Sequence, residues 1–164
     1  MKSGKLLALV LLVFSFGKLN GQEIANITDP RLDIKLPTVK GDTISLASLK
    51  GKVVLLDFWA SWCGPCRVAN KQFVKLYAKY KPQGFEIFSV SVDDDKRAWE
   101  KAIAKDKITW LQVIDPRNWG AQSAVNWGIS VLPTTFLINK KGDVVMIDPK
   151  EKQLDHAISQ LLQE

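Results

Sequence analysis

The stretch DFWASWCGPCR, residues 57–67, decides the fold because it places two cysteines where a strand passes into a helix. Residues 53–58 form an apolar run interrupted by one acid, which is typical of a central strand buried on both faces. After the stretch, apolar residues recur at helical spacing, at Ala69, Phe73, Leu76, Tyr77 and Tyr80. Cys63 and Cys66 therefore lie at the start of a predicted helix that ends near residues 82–84.

The supply of metal-binding and disulfide-forming residues limits what this cysteine pair can do. The 164 residues include two cysteines and one histidine, His156, which falls on the polar side of a predicted helix. A structural zinc site needs four ligands, so the sequence disfavours zinc and predicts no metal site. A disulfide that closes a four-residue loop stabilises a fold by only about 2 kcal/mol, against about 4.7 kcal/mol for a hundred-residue loop. The pair is therefore interpreted as a redox centre.

The two cysteines have unequal positions on the predicted helix. Cys63 lies at the N-terminal end, where free backbone N–H groups and the helix dipole favour a thiolate, the attacking species. Cys66 lies one turn deeper and needs a base. Asp57, on the buried strand, is the candidate, because burial raises the pKa of a carboxyl group. The alternative for Asp57 is a strand-end acid that reaches solvent.

The rest of the chain predicts an α/β sandwich with a mixed sheet. The expected strands cover residues 32–36, 43–46, 85–92, 111–114, 134–138 and 144–147, and the first two form a hairpin. Expected helices follow residue 95, span 117–127 and close the chain at 154–162. The acids Asp93, Asp94 and Asp95 are interpreted as the N-cap and first turn of the second helix.

A second motif, VLPTTF at residues 131–136, places Pro133 at the first residue of a predicted strand, where proline is tolerated. Leu132–Pro133 is a bond that could be cis, since cis bonds are essentially confined to proline. A trans proline at a strand edge is the ordinary alternative, and the sequence leaves the isomer open.

The first 21 residues are predicted to be a secretory signal peptide. A charged start precedes an apolar stretch over residues 6–16, which is shorter than the roughly 20 residues of a membrane-spanning helix. Cleavage is expected after Gly21, although Leu19 stands where a small residue is usual. The alternative is an uncleaved segment that tethers the protein to the membrane. Both interpretations place the bulk of the chain outside the cytoplasm, in the periplasm.

The predicted organisation is a signal peptide over residues 1–21, a lead-in over 22–30 and one domain over 31–164. Removal of the signal peptide and its three lysines would lower the net charge from +6 to +3. The remaining basic residues are spread among acids without clustering on one face, which disfavours nucleic-acid binding.

Two motifs give the chain a family resemblance. Residues 57–67 resemble the active-site segment of thioredoxins, and residues 128–134 resemble their second signature, whose proline is cis and faces the cysteines. The segment SLKGKVVL at 48–55 and an additional strand and helix over about 85–110 are typical of the TlpA/ResA branch. The likeness covers about residues 30–164. It implies a thioredoxin fold with an N-terminal β-hairpin and a TlpA-type strand–helix insertion.

The resemblance also implies roles for individual residues. Cys63 is the expected nucleophile, Cys66 the resolving thiol and Asp57 the buried acid. The expected substrate-contact residues are Trp62, Gly64, Pro65, Leu132 and Pro133. The redox-active disulfide serves in place of a cofactor. One departure is Ala69, where many TlpA/ResA proteins have a glutamate, so the family's acid–base tuning does not carry over directly.

The expected function is that of an exported thiol–disulfide oxidoreductase that reduces protein disulfides. The Gly-Pro pair between the cysteines is that of reducing thioredoxins, whose potential is about −270 mV. The implied substrates are exported proteins that contain disulfides, in cytochrome c maturation or general thiol homeostasis. The implied electron donor is a membrane thiol-transfer protein, and the expected state is a monomer.

Three alternatives stay open at this point. A disulfide oxidase or isomerase differs in redox potential. A peroxidase of the peroxiredoxin type is disfavoured, because Ala60 stands where such enzymes have a threonine. A non-catalytic binding module is disfavoured because Cys63, Cys66, Asp57 and Pro133 are all present.

Overall fold

The computed structural model describes residues 33–164, which form seven strands and four α-helices. The strands are β1 Lys35–Pro37, β2 Thr43–Ser45, β3 Val53–Trp59, β4 Phe85–Ser91, β5 Leu111–Ile114, β6 Thr134–Ile138 and β7 Val144–Ile147. The helices are α1 Gly64–Tyr80, α2 Lys96–Asp106, α3 Gln122–Asn126 and α4 Glu151–Gln163. The predicted signal peptide at 1–21 and lead-in at 22–30 lie outside the described residues.

Five of these strands form a mixed sheet in the order β5-β4-β3-β6-β7. Strands β3, β4 and β5 are parallel, whereas β6 is antiparallel to both β3 and β7. The strand that leads into the cysteines is therefore central, and all seven of its residues are buried, as the apolar run predicted. Strands β1 and β2 form a separate antiparallel hairpin.

Side chains of β3 alternate between two cores, one on each face of the sheet. Val53, Leu55 and Trp59 share one core with residues of α1, α2 and α4, and this core includes both cysteines. Leu56 and Phe58 belong to the opposite core. This core also contains apolar residues of the β1–β2 hairpin region and aromatic rings on and near β6. By this alternation Asp57 lies on the face that α1 covers.

Helix α1 begins and ends as its sequence predicts. Cys63 is the N-cap residue, and Pro65 lies in the first turn, where a missing N–H costs no hydrogen bond. A 3₁₀ turn, Lys81–Gln83, follows the helix and stops at Gly84. Gly84 has a φ of 99°, a left-handed conformation that glycine adopts without steric penalty.

Two expectations about local structure need correction. The helix expected over residues 117–127 is two pieces, a 3₁₀ turn at Asn118–Gly120 and the short α3. Asp95 caps α2 by accepting hydrogen bonds from the next turn, but Asp93 does not belong to the helix start. Asp93 is buried and bonds to a different segment, described below. The local capping rule assigned all three acids to one helix because it does not consider tertiary partners.

Within residues 33–164, the helices are too short or too polar to cross a lipid bilayer.

Candidate active site

The two cysteines form a disulfide at the N-terminus of α1, with their Cα atoms 5.3 Å apart. The backbone N–H of Cys66 donates to Cys63 Sγ at 3.2 Å. Cys63 is 6% exposed and Cys66 is 1% exposed, so Cys63 is the more accessible residue of the two. This arrangement favours Cys63 as the attacking group after reduction, because the helix N-terminus stabilises a thiolate there.

Asp57 is a buried carboxylate on the sheet face that α1 covers. It is 1% exposed, which excludes the alternative of an acid that reaches solvent. Burial raises the pKa of Asp57 to about 7, although the hydroxyl of Ser89 lowers it by donating a hydrogen bond of 2.8 Å. The negative charge of Asp148 raises this pKa further. A carboxyl group with this pKa can both accept and donate a proton near neutral pH.

The second predicted motif meets the active-site loop at the end of β3. Leu132–Pro133 is a cis peptide bond. Thr134 pairs with Phe58 in the antiparallel ladder, so Pro133 lies beside the point where β3 passes into the loop before Cys63. Leu132 packs against the core that contains both cysteines. The two motifs, about 70 positions apart in the sequence, therefore lie at one edge of the sheet.

The remaining predicted contact residues are exposed around the disulfide. The side chain of Trp62 is 51% exposed, and Gly64 and Pro65 are exposed on the first turn of α1. His156 is also exposed, as predicted, on α4. The described residues contain no group of three or more histidine, cysteine or acidic side chains placed to hold a metal ion.

A family model described as AhpC/TSA matches residues 27–147, more than half of the chain. The chain belongs to the AhpC/TSA family. Relatives similar to this chain include thiol–disulfide oxidoreductases. The thiol-disulfide oxidoreductase ResA of Halalkalibacterium halodurans is 32% identical over 126 residues, which cover 77% of this chain and 70% of that protein. ResA of Bacillus subtilis is 37% identical over 112 residues, which cover 68% of this chain and 61% of that protein.

Solved structures of thiol-disulfide oxidoreductases show the same fold. A thiol-disulfide oxidoreductase from Bacteroides fragilis superposes with a TM-score of 0.74 at 33% identity, over 79% of this chain and 96% of that chain. The thioredoxin domain of a thiol-disulfide oxidoreductase from Bacteroides vulgatus also superposes with a TM-score of 0.74, at 31% identity, over 79% and 93%. The predicted thioredoxin-like fold and oxidoreductase class are confirmed.

One exposed side chain that contacts Trp62 in this AhpC/TSA protein was not predicted to contact substrate. Trp119, in the turn between β5 and α3, is 47% exposed, and its ring centroid lies 6.2 Å from that of Trp62. Its only sequence signal was a large aromatic residue next to Gly120, in a segment expected to be helical. The two rings form an exposed aromatic pair that includes the residue preceding Cys63.

A network of polar side chains binds the active-site loop and was also not predicted from the sequence. Arg67 bonds to the carboxylate of Asp106 with two nitrogens, and it donates to the backbone carbonyl of Ser61 at 3.2 Å. The side chain of Asn70 donates to the same carboxylate at 2.9 Å. Burial acts to raise the pKa of Asp106, but the hydrogen bonds from Arg67 and Asn70 outweigh it and hold the pKa below its ordinary value. The end of α2 is thereby fastened to the start of α1.

Proposed function

We propose that the chain is an exported oxidoreductase that reduces disulfides in target proteins through Cys63 and Cys66. The observation that carries this proposal is the asymmetric cysteine pair. Cys63 lies nearer to solvent at a helix N-terminus, and Cys66 lies deeper, on the side of the sheet where Asp57 is buried.

The reaction starts from the reduced pair. The Cys63 thiolate attacks one sulfur of the target disulfide, a mixed disulfide forms, and the second target sulfur leaves as a thiolate. Cys66 gives its proton to Asp57 and attacks Cys63 Sγ. This attack breaks the mixed disulfide and closes the internal disulfide. The target receives two electrons from the two cysteines, and its thiolates take up protons from Asp57 and water.

Target binding involves the exposed surface around Cys63. Trp62, Gly64, Pro65 and the backbone at Leu132–Pro133 contact an extended segment of the target, in the manner of thioredoxins. Trp119 adds a second aromatic ring to this surface, because it contacts Trp62 and is half exposed. The targets are exported proteins with disulfides, including those of cytochrome c maturation.

The closed disulfide must be reduced before the next cycle. An exported reductase has no direct access to cytoplasmic reductants, so a membrane thiol-transfer protein is the proposed electron donor. The protein works as a monomer in the periplasm, either free or tethered by an uncleaved N-terminal segment. Fractionation of cells that express the full chain tests its location. Mass spectrometry of the purified protein shows whether the N-terminal segment has been cleaved.

The equilibrium redox potential of the cysteine pair tests the direction of the reaction. The exposed Trp62 lies next to Cys63, so tryptophan fluorescence of the full chain provides the readout. A value near −270 mV, about that of thioredoxin, supports a reductase. A value near −180 to −120 mV, about that of protein disulfide isomerase or DsbA, overturns that direction in favour of an isomerase or oxidase. Absence of any redox transition leaves only the binding module.

A further inference from the structure

Three buried side chains form a chain of two hydrogen bonds that ends at Asp57. The indole N–H of Trp110 donates to Ser89 Oγ at 2.8 Å. The hydroxyl of Ser89 donates to Asp57 Oδ2, also at 2.8 Å. Asp57 and Ser89 stand opposite each other in the parallel ladder of β3 and β4, so both point to the same face of the sheet.

This face is also where Trp110 meets the helix that carries the cysteines. Its ring lies 6.3 Å from that of Phe73 and 5.8 Å from that of Tyr77, both on α1. The exposed fractions of Asp57, Ser89 and Trp110 are 1%, 0% and 5%. Water therefore does not compete for these hydrogen bonds, and their geometry is set by the packing of β3, β4 and α1.

Both hydrogen bonds in this series are donated toward Asp57. An indole N–H can only donate, so the Ser89 oxygen accepts from Trp110 and its single proton remains for Asp57. A donated hydrogen bond favours the ionised form of a carboxyl group. In a dry environment each bond also polarises the next, which strengthens the bond to the carboxylate.

The other groups that face Asp57 favour its neutral form. Burial disfavours the charge, and Asp148, in the segment after β7, repels it. Thr135 stands opposite Asp57 on β6, but its backbone N–H donates to Asp148 at 2.7 Å. Among the described residues, the Ser89 hydroxyl is the group that opposes these influences on the pKa of Asp57.

We propose that Ser89 and Trp110 are positioning residues that orient the Asp57 carboxylate and favour its ionised form, so that it accepts the proton of Cys66. Trp110 orients the Ser89 hydroxyl, and Ser89 binds one carboxylate oxygen and leaves the other free. We call the hydrogen-bonded series Trp110–Ser89–Asp57 the relay. No proton passes along it, and the single proton transfer is from Cys66 Sγ to Asp57. This inference rests on the proposed role of Asp57 as the base.

A direct test follows the ionisation of Asp57 in the oxidised protein, where neither cysteine titrates. Carbon-13 NMR of the Asp57 carboxyl group measures its titration midpoint in wild type, Ser89→Ala and Trp110→Phe. Loss of a hydrogen bond to a charged group should raise the midpoint by about one pH unit in Ser89→Ala. Trp110→Phe should raise it by less, because the Ser89 hydroxyl remains.

A second buried tryptophan provides a matched control for Trp110→Phe. Trp99 is fully buried, and its indole N–H has no hydrogen-bond partner within the described residues. Trp99→Phe therefore shrinks a buried ring without removing a hydrogen bond, and it should leave the midpoint unchanged. A midpoint that moves in Trp110→Phe no more than in Trp99→Phe would overturn the role of Trp110. An unchanged midpoint in Ser89→Ala would overturn the whole relay.

A second measurement separates this inference from the proposed function. The reduced protein is mixed with 5,5′-dithiobis(2-nitrobenzoate), which releases one thiolate when Cys63 attacks and a second when Cys66 resolves the mixed disulfide. The pH profile of the second phase should shift upward in Ser89→Ala together with the Asp57 midpoint, about tenfold slower at pH 6. Asp57→Asn tests the base role separately. If this variant leaves the rate of the second phase unchanged, Asp57 is not the base. If Ser89→Ala and Trp110→Phe still raise the Asp57 midpoint in that case, the hydrogen-bonded relay stands without the base role.

Discussion

Asp93 binds Ser61 at two atoms and so ties the active-site loop to the end of β4. The backbone N–H of Ser61 donates to Asp93 Oδ2 at 2.8 Å, and its hydroxyl donates to Asp93 Oδ1 at 2.6 Å. The hydroxyl of Ser91 donates to the same carboxylate at 2.6 Å. Because Ser61 lies two residues before Cys63, the carboxylate determines how the chain enters the first turn of α1.

Asp93→Asn should destabilise the oxidised protein by about 1–3 kcal/mol, the cost of a buried donor left without its acceptor. The amide has one acceptor oxygen in place of two, so one of the two hydrogen bonds that Ser61 donates to this side chain is lost. Denaturant unfolding measures the loss, and faster hydrogen exchange at the Ser61 amide would locate it. Asp94→Asn is the matched control, since Asp94 is exposed and should change stability by less than about 0.5 kcal/mol. Equal stabilities of the two variants would contradict a structural role for Asp93.

The raised pKa of Asp57 makes stability depend on pH. Burial raises this pKa from 3.8 to about 7, so the folded protein binds the proton more tightly than the unfolded chain. The resulting stability is fully present below about pH 4 and is lost as the pH rises through about 7. A difference of about three pKa units corresponds to about 4 kcal/mol.

Asp57→Asn should therefore gain stability relative to wild type as the pH rises from about 4 to 7, and the gain should level off above pH 7. Denaturant unfolding of both oxidised proteins across this range measures the difference. Exposed Asp94 provides the comparison, because Asp94→Asn removes one carboxyl group without removing a buried one. Parallel pH profiles for wild type and Asp57→Asn would show that Asp57 ionises as easily in the folded state as in the unfolded chain.

Much of the fold could be predicted from local sequence patterns. Strands β3, β4 and β6 are buried on both faces, and such strands leave continuous apolar runs that mark their position in the sequence. Helices α1 and α4 show the period of an amphipathic helix, because one side of each packs on the sheet. The positions of the cysteine pair and Asp57 could be predicted for the same reason, since all three lie in a strand–helix junction only ten residues long.

The polar contacts of the site depend instead on strand register and could not be predicted locally. Ser89 meets Asp57 only because β3 and β4 pair with a particular offset, 32 positions apart in the sequence. Asp93 and Ser61 meet across the same offset at the ends of those strands. Two weak signals were present. Ser89 interrupts an apolar strand, and Asp93 comes two residues after the end of that strand, at the same end of the sheet as the cysteines.

Trp119→Ala should weaken substrate binding with little effect on the chemical step, because Trp119 adds to the exposed surface through its contact with Trp62 and has no group that transfers electrons or protons in the proposed reaction. With a disulfide peptide that carries an aromatic residue beside its cysteine, KM should rise several-fold while kcat changes by less than about twofold. Steady-state kinetics measures both. Val145→Ala, at an exposed site on β7, should change neither. An unchanged KM in Trp119→Ala would remove this residue from the proposed substrate surface.

Cys66→Ser should trap the mixed disulfide between Cys63 and a target, because Cys63 can still attack but no second thiol remains to release it. The matched variant Cys63→Ser should form little adduct, since Cys66 is 1% exposed and lacks the N-terminal position that favours a thiolate. Both reduced variants are incubated with a disulfide peptide, and the adducts are located by mass spectrometry under non-reducing conditions. An adduct at Cys66 that forms as fast as the adduct at Cys63 would reverse the assigned roles, because the difference in burial would then not control which sulfur attacks.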